Sequence, residues 1–539
     1  MTRRGAIARI AKMIGQDIAC GTPSQGATEA GPMLAQTGAT PDLVACLIAE
    51  TRRRRPDPHM VEAYAFLLES ALDALRMAGN DGDTTARLAL DEVRAAVGSA
   101  IAGDGLAAET LMLIARAFAQ AELDPGQDLR DAALAAVEAE PAPPAAGGMG
   151  LGNHLADIAR ALDDDPFAIH AELAASCAAL PIEHRAVVAA ELAASGVAAV
   201  GDAAIGFVLD RDPAPGAAVL AALTQRARQH AVPSRLVERL VVMRPWLPPA
   251  RRPALDAAIR SLRAKAEAPV QRAAGEVRAL LASLCDGAGA QSLFGLTRRG
   301  RRFALASVLV KADAGVADAW VREDMTKREA DEMVAEIRQH AEAVDVPLGL
   351  VTERLSDALA VNLKLDTPPP FGLLRVVETL GIGALHPAAL APATLAAALL
   401  DGLPPERTGA EATRAAHRNA PGWADRFHTL DSWFEAGEEI EALLRPQASR
   451  GKRVEAVLAR HLPARRLFWA ERCAWMAATL KDGGSDRDAA WVDFALVARD
   501  LAGAGTLADM PLMAAIADAT VNVFAARPPA RRSRKPRRH

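Results

Sequence analysis

Residues that would point to a particular protein class are scarce in this sequence. Among 539 residues there are 5 cysteines and 1 tyrosine, and aromatic residues make up 4% of the chain. The cysteines are widely separated and form no Cys-x-x-Cys pair; they are Cys20, Cys46, Cys177, Cys285 and Cys473. This spacing argues against a disulfide framework and against a zinc site, and it favours a reducing, cytoplasmic setting.

Long apolar runs and catalytic motifs are also missing. The most apolar stretch, residues 385–400, is 16 residues long and includes two prolines, whereas a bilayer span needs about 20 apolar residues. The sequence has no His-Glu-x-x-His, Gly-x-Ser-x-Gly, Walker or EF-hand pattern. We therefore expect a soluble chain without a membrane span, and we assign it no catalytic residue, no cofactor and no metal ligand.

Alanine, leucine and valine at helical spacing are abundant. Residues 200–246 show short apolar stripes separated by turns at Asp212-Pro213 and Pro233-Ser234. Asp212 is placed to accept hydrogen bonds from the free N–H groups of a helix start, and Pro213 to occupy the first helical position. We find no convincing alternating strand pattern, because the best strand candidate, residues 303–310, fits a buried helix equally well.

One turn of this region resembles a known repeat family. The run Leu209-Asp210-Arg211-Asp212-Pro213 and residues 217–223 are similar to the inter-helix turn and second helix of a HEAT-type repeat, although Pro215-Gly216 stands where that family usually has Val-Arg. The resemblance implies a stack of helical pairs that acts as a binding scaffold. The expected fold is all-α, an elongated α-solenoid-like array of helical pairs with no significant β-sheet.

Composition divides the chain into six segments. Residues 140–153 combine prolines with glycines, as linkers do, and residues 368–370 are three consecutive prolines. The predicted segments are an N-terminal helix and flexible loop (1–39), an N-terminal helical unit (40–139), the linker (140–153), a central helical-repeat-like domain (154–367), a tryptophan-rich C-terminal helical domain (368–527) and a disordered basic tail (528–539).

Three basic runs are candidate binding elements. The run Arg52–Arg55 has a structural explanation at the carboxyl end of a helix. A glycine-rich loop expected to precede a helix could hold an anion between guanidinium and backbone N–H groups, or could simply be solvated; its arginines are Arg298, Arg299, Arg301 and Arg302. The tail could contact nucleic acid or an acidic partner, or serve only solubility; its basic residues are Arg531, Arg532, Arg534, Lys535, Arg537 and Arg538.

Other groups have both a functional and a structural interpretation. Glu336 and His340 share a helix face, as a metal or acid–base site requires, but a surface pair explains them more simply. Residues 163–165, three aspartates, could bind a hard cation or cap the helix that begins at Pro166. A candidate partner surface, which could equally be core, falls on adjacent helical turns; it consists of Phe468, Arg472 and Trp475.

These features favour a non-catalytic helical scaffold that mediates protein–protein interaction, with another protein or a peptide as its partner. The first alternative is a nucleic-acid-associated accessory protein that uses the basic tail and the loop of residues 298–302. The second alternative is an enzyme whose site converges from distant helices.

Overall fold

The structure is a computed structural model that describes residues 3–19, 25–80, 84–103, 105–121, 123–139, 149–177, 180–268, 275–481 and 490–526. The chain forms two compact units. Unit 1 comprises residues 1–236 and 257–267, and unit 2 comprises residues 237–256 and 268–539.

Unit 1 is built from helices whose apolar stripes face a core of leucine, valine, isoleucine and alanine. Leu43, Leu67 and Ile114 are completely buried, as the helical periodicity predicts. The helices are α1 (Arg3–Ala19), α2 (Gln25–Gln36), α3 (Thr40–Thr51), α4 (Pro58–Asn80), α5 (Thr84–Ala102), α6 (Ala108–Gln120), α7 (Gln127–Ala139), α8 (Met149–Ala161), α9 (Pro166–Cys177), α10 (Ile182–Ala194), α11 (Ala198–Ala204) and α12 (Pro213–Arg226).

Part of the predicted N-terminal flexible loop is helical. Residues 25–36 form α2 although they include Gly31 and Pro32, two residues that disfavour a helix interior. Gly31 allows a close helix crossing, because a β-carbon there would lie 2.2 Å from the Ser70 hydroxyl oxygen of α4. Tertiary packing therefore outweighs local propensity. Of the predicted linker, residues 149–153 begin α8, while residues 140–148 lie outside the described residues.

The turn at Asp212-Pro213 has the predicted position but not the predicted hydrogen bond. Pro213 opens α12 as expected, whereas the Asp212 side chain makes no capping hydrogen bond to the helix. Arg185 of α10 instead binds both aspartates of the turn: its Nη1 lies 3.3 Å from Asp212 Oδ2, and its Nη2 contacts Asp210 Oδ2. The aspartates thus fasten the turn to a neighbouring helix.

Unit 2 combines further helices with a β-sheet. Its five C-terminal tryptophans are at most 9% exposed, so the tryptophan-rich segment supplies a core; they are Trp423, Trp433, Trp469, Trp475 and Trp491. After α13 (Ser234–Met243) and α14 (Arg252–Arg263), both of which cross the boundary between the units, the helices are α15 (Lys327–His340), α16 (Leu348–Lys364), α17 (Gly372–Leu380), α18 (Pro392–Leu400), α19 (Pro405–Thr408), α20 (Ala410–Asn419), α21 (Glu438–Leu444), α22 (Arg450–Ala456), α23 (Leu462–Lys481), α24 (Ala490–Ala502) and α25 (Pro511–Ala526), with a π-helical turn at Val457–His461.

The prediction of an all-α, solenoid-like chain without significant β-sheet is wrong. Unit 2 contains a five-stranded antiparallel sheet in the order β4-β3-β2-β1-β5. Residues 303–310, which fitted a strand and a buried helix equally well in the sequence, lie within β3. The strands are β1 (Glu276–Ala282), β2 (Ala290–Arg299), β3 (Arg302–Lys311), β4 (Gly315–Met325) and β5 (Val344–Asp345).

The sheet was not predicted from the sequence because helices cover much of both of its faces. Residues 305–308 of β3 are all buried, and consecutive burial removes the alternation that marks a half-exposed strand. Gly295 in β2 is needed for close packing, since a β-carbon there would lie 2.4 Å from Leu380 of α17. The turn signals were nevertheless present in the sequence, because Gly289, Gly300 and Gly315 all have positive φ.

Candidate interaction surfaces

The four candidate anion-binding arginines lie at the exposed tip of the β2–β3 hairpin, not before a helix as predicted. Arg299 pairs with Arg302 across the two strands, so Gly300 and Arg301 form a two-residue loop. Gly300 has a φ of +62°, a conformation that glycine adopts readily in such loops. The hairpin therefore concentrates four guanidinium groups within residues 298–302.

Two of these arginines are committed to backbone oxygens and two are not. Arg298 Nε donates to the Gly300 carbonyl at 2.8 Å, and Arg302 Nη1 donates to the Asp324 carbonyl at 3.1 Å. Arg299 and Arg301 are exposed, and neither has a hydrogen-bond or ion-pair partner among the described residues. Such guanidinium groups can bind a phosphate or a carboxylate.

An exposed tryptophan lies on the edge strand of the same sheet. Trp320 of β4 stands opposite Ser307, which stands opposite Phe294 of β2, so the three side chains share one face. α15 packs on this face against Leu296 and Leu305, yet Trp320 remains 43% exposed. An aromatic side chain is thus available on the edge strand of the sheet, about 16 Å along the strands from the hairpin-tip arginine with which β3 begins.

A shallow apolar groove lies between α3 and α5 in unit 1. The residues at positions 45, 49, 96 and 100 are alanines, so each helix presents small side chains on successive turns. The absence of larger side chains at these positions leaves the space open. The groove has a volume of about 360 Å³ and is lined by Pro41, Val44, Ala45, Ile48, Ala49, Arg52, Ala96 and Ala100.

The run Arg52–Arg55 begins at this groove, because its first residue, Arg52, lines the groove. α3 ends at Thr51, so the run follows the helix. Arg52 Nη2 donates to the Gly105 carbonyl at 2.7 Å, and Arg53 pairs with the buried Glu50 at 2.9 Å. Arg54 and Arg55 are exposed and, within the described ranges, contact no acidic or hydrogen-bonding partner. Positive charge therefore borders an apolar depression.

The candidate partner surface at Phe468, Arg472 and Trp475 is placed in the interior. Arg472 and Trp475 are each 1% exposed, and Phe468 is half-buried. The Arg472 guanidinium lies 3.4 Å from the Phe468 ring centroid and donates to the Ala288 carbonyl at 3.3 Å. Burial lowers the pKa of Arg472. Arg472 thus joins α23 to the loop that precedes β2. We therefore do not propose these residues as a partner surface.

A buried carboxylate that the sequence did not suggest organises the same helix. Glu435 accepts hydrogen bonds from Arg465 Nε at 2.9 Å and from Trp469 Nε1 at 2.9 Å, and His461 Nε2 lies 3.3 Å away. Burial would raise the pKa of Glu435, but the hydrogen bonds from His461 and Arg465 hold it below its ordinary value. The π-helical turn that carries His461 is followed by Pro463, which lacks an N–H and so disrupts regular helical hydrogen bonding. This proline was the sequence signal for an irregular turn at that position.

The remaining sequence candidates are exposed on a helix, have local structural partners or lie outside the described residues. Glu336 and His340 are exposed on α15, and Glu332 one turn earlier pairs with Arg328 at 2.8 Å. Asp165 accepts the Phe167 N–H at 3.0 Å at the start of α9, as a cap would. The basic tail, residues 531–538, is outside the described residues.

Among the residues that the structure describes, no group of three or more His, Cys, Asp or Glu side chains could hold a metal ion. Within the same ranges, no helix is both long and apolar enough to cross a bilayer.

Three segments of the chain match models of uncharacterised domain families. Residues 27–126 match the y4lR N-terminal domain, residues 181–266 match the Y4lR second domain, and residues 393–525 match the Y4lR C-terminal helical domain. These three segments are similar to parts of y4lR. The α3–α5 groove lies within the first matched segment, and the β-sheet lies between the second and third. The suggested HEAT-type resemblance is not among these matches.

One curated relative has the name that the three domain models also use, y4lR. The uncharacterized protein y4lR of Sinorhizobium fredii (strain NBRC 101917 / NGR234) is 31% identical over 318 residues, which cover 57% of this chain and 59% of the relative. The chain therefore spans less than two thirds of the length of the relative. No solved structure matches the chain.

Proposed function

We propose that this chain is a non-catalytic interaction protein that holds an acidic, apolar peptide segment of a partner protein in the α3–α5 groove. The observation that carries the proposal is the adjacency of an apolar groove and the arginine run Arg52–Arg55. An amphipathic helix that lays its apolar side chains into such a groove is a common mode of peptide recognition.

The shape of the groove favours a peptide over a compact ligand. Its alanines at positions 45 and 49 on α3 and at 96 and 100 on α5 are arranged along the helices, so apolar side chains spaced by one helical turn on a partner can follow them. Apolar area removed from water supplies the affinity, at about 25 cal/mol per Å² before the costs of association.

The charge that borders the groove favours an acidic partner. Arg53 is neutralised by Glu50, but Arg54 and Arg55 have no partner within the described ranges. Charges at the rim of an interface steer association and select partners of complementary charge. Acidic residues at one end of the peptide would meet these guanidinium groups.

The proposal is tested with three synthetic helical peptides that share one apolar face and differ in the polar face, which is acidic, neutral or basic. Fluorescence anisotropy with the full chain should give the tightest binding for the acidic peptide and the weakest for the basic one. Replacing Arg54 and Arg55 by glutamate should weaken the acidic peptide about tenfold. Lys12→Glu, an exposed charge reversal on α1, is the matched control and should leave binding unchanged. Equal affinity for all three peptides would overturn the proposal.

A further inference from the structure

We infer that the β4 edge strand and the β2–β3 hairpin tip together bind single-stranded nucleic acid. The inference concerns unit 2 and does not depend on the peptide groove of unit 1. Trp320 supplies the surface on which a base stacks, and the arginines toward the hairpin tip contact phosphates. Aromatic stacking combined with a basic path is typical of proteins that bind single strands without strong sequence preference.

The register of the sheet sets the order of these groups. Arg322 follows Trp320 on the same face of β4, at about 7 Å for two residues of a strand. On β3, Ser307 stands opposite Trp320, and Arg302 is five residues away, at about 16 Å. Arg302 reaches over β4 to the Asp324 carbonyl at 3.1 Å. Trp320 and Arg322 therefore lie on one face of the edge strand. Arg302, an odd number of residues from Ser307, starts from the opposite face of β3 and reaches β4 at the end of the sheet where the hairpin tip lies.

Two of the nearby carboxylates are already engaged, while the exposed Asp324 carboxylate has no partner among the described residues. Glu323 is paired with Arg375 at 3.1 Å. Glu329 accepts hydrogen bonds from the Thr326 hydroxyl and from the Thr326 N–H, both at 2.7 Å, and these bonds lower the pKa of Glu329. Glu329 also lies 4.0 Å from Arg322 and so offsets part of that positive charge. By contrast, Arg299 and Arg301 have no counter-charge among the described residues. The unpaired positive charge at the tip favours a polyanion. The exposed Trp320 ring favours a nucleic acid over an acidic protein, because a base can stack on it.

A duplex does not offer the stacking contact, because its bases are already stacked on one another. The geometry therefore points to single strands. The chemistry that Trp320 and the arginines recognise is shared by RNA and DNA, since both present bases and phosphates.

The test measures anisotropy of labelled oligothymidylate, oligouridylate, a DNA duplex and poly-glutamate with the full chain. Either single strand should bind more tightly than the duplex and poly-glutamate, and the tighter of the two identifies RNA or DNA as the source. Trp320→Ala should weaken binding about tenfold, and Trp320→Phe should restore most of it. Leu365→Ala, at a side chain 44% exposed elsewhere in unit 2, should have no effect.

A charge arm tests the tip itself. Replacing Arg299 and Arg301 by glutamate should weaken binding. The slope of log affinity against log salt concentration should become smaller in magnitude by about 1.4, because each phosphate contact to a single strand contributes about 0.7 to that slope. Arg407→Glu with Arg460→Glu, both exposed and unpaired among the described residues, is the matched control. The tail variant is the whole chain with Arg531→Gln, Arg532→Gln, Arg534→Gln, Lys535→Gln, Arg537→Gln and Arg538→Gln. Its binding of single strands should still be weakened by Trp320→Ala.

Three results would overturn the inference. The first is binding that is unchanged in Trp320→Ala. The second is poly-glutamate binding as tight as that of the single strands, which would assign the tip to an acidic protein. The third is complete loss of binding in the tail variant, which would assign all nucleic-acid binding to the tail.

Discussion

Arg185 Nη1 lies 3.3 Å from Asp212 Oδ2, which ties α10 to the turn that opens α12. The same guanidinium contacts Asp210, and the Arg185 and Asp210 side chains are 19% and 10% exposed. Removal of the arginine takes its guanidinium away from both carboxylates, although Asp210 Oδ1 still accepts the Asp212 N–H at 2.9 Å. Asp212, which the sequence predicted to cap a helix, therefore joins neighbouring helices together with Asp210.

Arg185→Ala should lower the free energy of unfolding by about 1–3 kcal/mol, the usual cost of losing a hydrogen bond to a charged group that is partly buried. Urea denaturation followed by circular dichroism measures the change. Arg160→Ala is the control, because Arg160 is 73% exposed and pairs with an exposed Asp157; it should cost less than about 0.5 kcal/mol. Equal effects of the two substitutions would remove the special role of Arg185.

Gly31→Ala should destabilise unit 1 by about 1–3 kcal/mol, as overpacking does. The added methyl would lie 2.2 Å from the Ser70 hydroxyl oxygen, so α2 and α4 would have to move apart. Gly196→Ala introduces a β-carbon with no atom within 4 Å and serves as the control in thermal unfolding. A Gly31→Ala protein as stable as the parent would contradict the close crossing.

The Glu435 cluster should make stability fall in acid. The folded pKa of Glu435 lies below its ordinary value, so this carboxylate adds stability above its unfolded pKa of about 4.3, and that stability is lost as the pH falls through the lower folded pKa. Glu435→Gln should cost about 3 kcal/mol near neutral pH and should flatten the acid limb of a stability–pH curve. An unchanged acid limb would show that other carboxylates dominate it.

Trp475 should behave as a core residue. It is 1% exposed, and the Arg354 guanidinium lies 4.6 Å from its ring centroid. Trp475→Ala should therefore lower the free energy of unfolding by about 3–5 kcal/mol. Leu467→Ala, at a side chain 60% exposed on the same helix, should change it little. If Trp475→Ala left stability intact, its placement in the interior would be wrong.

Local signals in the sequence identified several helix boundaries. Thr326 and Glu329, three positions apart, have the sequence pattern of a capping box, and the structure forms it: Thr326 Oγ1 accepts the Glu329 N–H at 3.3 Å, and the Glu329 carboxylate accepts the Thr326 N–H. Pro213 likewise opens α12. These features depend on residues a few positions apart, so their physics is visible in a linear sequence.

Features that depend on distant residues were not visible. The α3–α5 groove is made by small alanines about 50 positions apart, which carry no chemical signal. The arginines of residues 298–302 were recognised as a cluster but assigned to the wrong local structure, because burial of β3 on both faces hid the strands. Trp320 was not singled out, since only the pairing of β3 with β4 shows that it stands exposed on an edge.

The central claim is that a peptide occupies the α3–α5 groove, and one comparison of affinities tests it most directly. Ala96 lines the groove, whereas its neighbour Ala95 is exposed on another face of α5. Ala96→Met should fill the groove and weaken the acidic helical peptide about tenfold, because apolar contact area is lost. Ala95→Met should bind the peptide as the parent chain does. Equal affinity of the two folded variants for the peptide would contradict the account.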